Sequence, residues 1–258
     1  MTLADVSTPS DGHLEIAPGW RQGRGAFGGL VVAALIRAIE RAVGDPKRRA
    51  RSVTAELPGA VEAGRAEIAV DILRAGNAVT TARASLHQAG EVRTHAVAIV
   101  AANRPIDAPS WQDLPRPVAP SWRDVEPLPW SPAYPEFAQH FEYRIVEGTI
   151  GAKAAAEAIG WIRAREPGAA RDAGYVAAMA DAWWPAALHR FAAMRPIATI
   201  AYTLEVIADP ATLDPALPLL YRAVVPVCGN GYFVETRELW TEAGELVAIN
   251  HQTFAVIK

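Results

Sequence analysis

The feature that most constrains this chain is a pattern written twice: one helical segment, then four strand-like segments, on either side of a proline-rich stretch. In the first half GLVVAALIRAIERAV carries Leu30, Ala33, Ala34 and Arg37 on successive helical turns. RSVTAEL, AEIAVDILRA, AVTTARASLHQ and EVRTHAVAIVA follow, rich in β-branched residues and separated by glycine-containing turns. In the second half DAGYVAAMADAWWPAALHRF reads as helical, followed by IATIAYTLEVIA, LLYRAVVPV, YFVETRELWT and ELVAINHQTFAVI. Local marks support the duplication. Gln88-Ala89-Gly90-Glu91 matches Glu242-Ala243-Gly244-Glu245, an arginine stands seven residues before each of those glycines (Arg83, Arg237), and a Gly-Asn pair opens each hairpin (Gly76-Asn77, Gly229-Asn230).

Successive strands without intervening helices pair antiparallel, with the helix packed on one face. A long helix wrapped by a curved antiparallel sheet is the hotdog arrangement. The expected architecture is therefore α+β: two fused hotdog repeats, over residues 1–103 and 137–258, joined by a linker at 104–136. Nine prolines fall between Pro105 and Pro135, which excludes helix and central strand there. Trp111, Trp122 and Trp130 within it imply that the linker lies against the body.

Composition excludes several classes. A net charge of −3 over 258 residues carries no basic footprint for nucleic acid. The longest apolar run near the first helix, Leu30 to Ile36, stops at Arg37, too short to span a bilayer, and the first residues lack the pattern of a secretory signal. A cytoplasmic, membrane-free protein is the expectation. One cysteine excludes an internal disulfide and a cysteine-rich zinc site; Cys228, in the run AVVPVC, reads as core. Lys47, Arg48, Arg49 and Arg51 follow the first helix, either as a solvated surface suited to the helix dipole or as an edge for phosphates. Residues 23–28 spell GxGxxG, but no parallel strand follows the helix, so the dinucleotide reading fails and the glycines read as a tight turn at a helix N-terminus.

FGGLVVAAL (27–35), MADAWWPAAL (179–188), IATI (197–200) and ELVAINHQ (245–252) together resemble the bacterial type II acyl-CoA thioesterases, the double-hotdog family. The similarity runs over nearly the whole chain; the stretch after IATI, here AYTLEVIADP, departs from the family's polar, basic pattern. The resemblance implies hydrolysis of an acyl-CoA thioester with Asp181, Thr199 and Gln252 orienting the attacking water, without cofactor or metal. The chemistry suits those residue types: a carboxylate takes the proton while neutral groups fix the water. Backbone N–H groups at Gly28 and Gly29 would meet the oxyanion.

Each residue also has an ordinary reading. Asp181 could cap the helix resumed after Pro185, Gln252 could be surface, and Thr199 could be structural. His251 should face away from Gln252 on the same strand. Two other functions share the fold: a hotdog hydratase, for which His189 stands too far from Asp181, and a non-catalytic acyl-CoA-binding module. Counting back seven from Leu35 and Leu188 sets Gly28 against Asp181, and counting eight forward from Gly90 and Gly244 sets Ala98 against Gln252. One site per chain is expected, in a homo-oligomer that covers the fold's exposed edges.

Overall fold

A computed structural model describes residues 1–105, 107–152, 154–214 and 216–257. The first half contains α1 (Leu3–Val6), β1 (His13–Ile16), a small ribbon of β2 (Arg21–Gln22) and β3 (Gly25–Ala26), then the long helix α2 (Gly28–Val43). Strands β4 (Arg48–Glu56), β5 (Gly64–Ala75), β6 (Val79–Gln88) and β7 (Glu91–Ala102) complete it. The second half contains β8 (Phe141–Glu147), β9 (Glu157–Ala164), α3 (Ala173–Asp181), β10 (Ile197–Val206), β11 (Leu219–Gly229), β12 (Tyr232–Trp240) and β13 (Leu246–Val256).

Eleven strands form one antiparallel sheet in the order β1-β5-β6-β7-β4-β10-β13-β12-β11-β9-β8. The halves join where β4 pairs with β10, centred on Thr54 opposite Thr203. The sheet curves around α2 and α3, giving the double hotdog. Helix α2 is buried continuously from Gly29 to Ile39 because sheet and α3 enclose it, and it stops at Gly44 in the left-handed conformation (φ 68°). Asp172 caps α3 by accepting a bond from the Tyr175 amide (2.8 Å). The helical pattern read as far as Phe191 is cut at Asp181 because Pro185 cannot continue it; a 3-10 turn, Ala186–His189, follows.

The two halves correspond through their irregularities. Each inner strand is bulged against its neighbour, at Arg51 in β4 and at Ile200 in β10, so Ala50 is the counterpart of Thr199. A second matched pair, Arg93 in β7 and Val247 in β13, makes Ala98 the counterpart of Gln252. The arginines do not correspond. The β6–β7 turn has two residues, with Ala89 and Gly90 at φ 54° and 79°, whereas Thr241 N–H bonds Glu245 O (2.9 Å) around three. That extra residue makes Ala84, not Arg83, the partner of Arg237. Arg83 lies on the outer face beside Asp71, while Arg237 is buried.

The linker packs partly as expected. Leu114, Ala119, Trp122 and Val125 cover the outer face of the second half over Ile159, Trp161, Leu220, Trp240 and Leu246. Trp111, however, is 76% exposed. Cys228 is exposed rather than core, because β11 kinks after Val224 and its end runs beyond the packed layer. Arg48, Arg49 and Arg51 are engaged within the chain, with Asp45, Asp209 and Asn103. No helix among the described residues is long and apolar enough to cross a membrane.

Candidate active site

Asp181 is the last residue of α3, where helix carbonyls run out of intrahelical partners. Three side chains supply them. Tyr202 Oη donates to Ala177 O (3.0 Å), Arg237 Nη1 to Ala180 O (2.9 Å) and Tyr143 Oη to Ala182 O (2.9 Å). The helix end is thereby fixed, and Asp181 with it.

The structure brings the three expected residues together. Thr199 Oγ1 donates to Gln252 Oε1 (3.3 Å), and Gln252 Nε2 donates to Asp181 Oδ1 (2.9 Å). Asp181 and Gln252 are buried; Thr199 is partly accessible. Strand alternation sends His251 outward and Gln252 inward. Asp181 does not cap the following turn; the Ala186 amide bonds Glu235 Oε2 instead (2.7 Å).

The glycines lie against the same carboxylate. A Cβ on Gly28 would fall 2.9 Å from Asp181 Oδ2, and one on Gly29 would fall 2.9 Å from Asp181 Cβ and 3.0 Å from Ala178 Cα. Only glycines let α2 approach α3 this closely. The Gly29 amide lies near enough to the Asp181 carboxylate to favour its charged form. Asp181 thus sits at the unfavourable negative end of α3 and the favourable positive end of α2. Burial raises its pKa above the usual carboxylate value; Arg237, the Gln252 amide and the Gly29 amide oppose that shift.

This contact corrects the count that set Gly28 against Asp181 as repeat equivalents. The helices cross antiparallel, with Gly174 lying against Ala33 and Arg37. Counted from the helix caps Phe27 and Asp172, the counterpart of Asp181 is Ile36. Leu188 misleads the count because it lies in the 3-10 turn beyond α3. The positions matching Asp181, Thr199 and Gln252 are therefore Ile36, Ala50 and Ala98, all buried and apolar.

Sequence reasoning missed three buried polar residues. Asn250 accepts from Gln252 Nε2 (2.8 Å) and donates to Thr203 O (2.7 Å), which fixes the orientation of the glutamine amide. Glu235 and Arg237 lie on β12 opposite Gln252 and Asn250. The signal available was spacing: Asn250 stands two residues from Gln252, hence on its face.

Residues 16–101 match the family described as acyl-CoA thioesterase N-terminal domain, and residues 105–256 that described as acyl-CoA thioesterase C-terminal domain. The chain belongs to the acyl-CoA thioesterase family. It is a thioesterase, and its fold is the double hotdog. No curated protein sequence matches it. Among solved structures it is similar to a hot dog fold protein of unknown function from Alicyclobacillus acidocaldarius (24% identity, TM-score 0.88, covering 99% of this chain and 98% of that one). It is also similar to a putative thioesterase II from Thermobifida fusca (22%, 0.84, 100% and 98%). A third is an acyl-CoA thioesterase II from Mycobacterium marinum (22%, 0.72, 90% and 90%). At these identities the likeness to the solved structures concerns the fold.

Proposed function

We propose that this thioesterase hydrolyses acyl-CoA to the free acid and CoA at Asp181, Thr199 and Gln252. The observation that carries the reading is the hydrogen-bonded chain from Thr199 through Gln252 to Asp181, facing the N-terminus of α2. A water between Thr199 and Asp181 is oriented by the threonine hydroxyl and the glutamine carbonyl. Asp181 takes its proton as the water oxygen bonds to the thioester carbon. The carbonyl oxygen becomes an oxyanion beside Gly28 N–H, which has no intrahelical acceptor. Gly29 N–H, next to it in the first turn of α2, adds a second free donor to that helix end. Collapse breaks the C–S bond, and the proton on Asp181 passes to the departing thiolate.

Asp181→Asn keeps the shape of the site and removes the base. In a thiol-release assay kcat should fall by roughly two to four orders of magnitude, with KM near its starting value. Near-wild-type kcat would remove Asp181 from the mechanism.

A further inference from the structure

Next to Gln252, on the neighbouring strand β12 and against the same Asp181 oxygen, stands an ion pair sealed from solvent. Arg237 and Glu235 are 1% and 0% exposed. Arg237 Nε donates to Glu235 Oε1 (2.6 Å), and Nη1 donates to Ala180 O and lies 3.4 Å from Asp181 Oδ1. Its guanidinium carbon lies over the rings of Phe254 (5.4 Å) and Tyr221 (5.9 Å), which confine it from the sides. The second oxygen of Glu235 holds the Ala186 amide, so the same carboxylate pins the chain reversal that follows Asp181.

A buried ion pair gives little net stability compared with an apolar core, so its placement against the proposed base calls for another account. Two carboxylates face one guanidinium. With Asp181 ionised the trio carries one negative charge; with Asp181 protonated it is neutral. Arg237 therefore favours the ionised base, and Glu235 moderates that effect by claiming Nε and adding its own negative charge. Without the arginine, a desolvated Asp181 would hold its proton too tightly to accept another. Without the glutamate, the arginine would leave Asp181 a weaker base.

Resting on the assignment of Asp181 as base, we propose that Arg237 and Glu235 are a paired positioning device that sets the basicity of Asp181 and fixes its orientation. Neither touches the reacting atoms. Arg237 acts through the carboxylate and the Ala180 carbonyl, and Glu235 acts through Arg237 and the Ala186 amide. The first repeat has Ala84 at the place of Arg237, consistent with its lack of a carboxylate at Ile36.

The test is the acid limb of kcat/KM against pH for Arg237→Gln, Arg237→Lys and Glu235→Gln, with Asp181→Asn as reference. Loss of the cation in Arg237→Gln should move the limb to higher pH by about one pH unit or more, and loss of the anion in Glu235→Gln should move it to lower pH. Arg237→Lys keeps the charge but cannot bond both partners with a planar fork, so its limb should stay near wild type while kcat falls about tenfold or more. A merely structural role would lower activity without moving the limb. If Asp181→Asn is inactive yet the limbs of the Gln variants coincide with wild type, or shift in the same direction, the positioning role is overturned. If Asp181→Asn stays active, the assignment of the base fails instead. Should Arg237→Gln not fold, the limb of Glu235→Gln is compared with that of Arg237→Lys, which keeps the charge and should stay near wild type; coincident limbs refute the proposal.

Discussion

Glu40, on the last turns of α2, offers a perturbation whose sign and size follow from its surroundings. One oxygen accepts the Ala50 amide (2.8 Å), and burial pushes its pKa up to about 7 from 4.5, with Asp172 raising it and Arg37 and Arg49 opposing. A carboxyl that titrates higher in the folded than in the unfolded chain contributes stability fully present below pH 4.5, which is lost as pH rises to about 7. Glu40→Gln retains a carbonyl for the Ala50 amide and cannot ionise. Integrated over that window, the linkage amounts to about 3 kcal/mol; imperfect mimicry of the protonated acid should leave about 2 kcal/mol of gain above pH 7.5. For a chain this long that is a rise in Tm of roughly 4–8 °C. The assay is a pair of thermal melts at pH 5 and pH 8. The variant should match wild type at the lower pH and exceed it at the higher. A Tm difference independent of pH, or a variant less stable at pH 8, would refute the reasoning.

Calorimetric titration with a non-hydrolysable acyl-CoA analogue should give one site per chain; two would mean that the Ile36, Ala50 and Ala98 region binds substrate after all. Gly29→Ala should lower both stability, by about 1–3 kcal/mol, and kcat, because its Cβ would meet the α3 backbone at Ala178 and the helices must part. An unchanged melt and rate would show that the helices separate freely. Chelators should leave turnover unchanged; loss with EDTA and recovery with zinc would contradict a metal-free water activation.

Long periodic elements were legible in the sequence, and α2 with β4–β7 and β10–β13 lie close to where periodicity put them. Strands β8 and β9 escaped notice for a physical reason. The middle of β9 is buried on both faces, by the core on one side and the linker on the other, so it lacks the alternation that marks a half-exposed strand. Asp181, Thr199 and Gln252 were drawn from family resemblance, each having an ordinary local reading. Arg237 and Glu235 were invisible as site residues because charged residues are ordinarily exposed, and only tertiary pairing makes their burial tolerable. The register of the duplication was also beyond the sequence. One extra turn residue produced a false match of arginines, and Pro185 shortened α3 enough to mislead the count on Leu188.

The seam between β4 and β10 has a consequence for how the chain could be divided. The carboxylate, threonine and glutamine come from one half, and the glycines that press on the carboxylate come from the other. Cut within 104–136, each fragment would show an open strand edge, β4 or β10, with its backbone donors and acceptors unpaired. The same edges are complementary, centred on the two threonines that face each other across the join. Separate fragments are thus expected to be silent and sticky, with turnover appearing when they are mixed. The protein has the logic of a two-input gate, in which signal reports reunion rather than the presence of either piece.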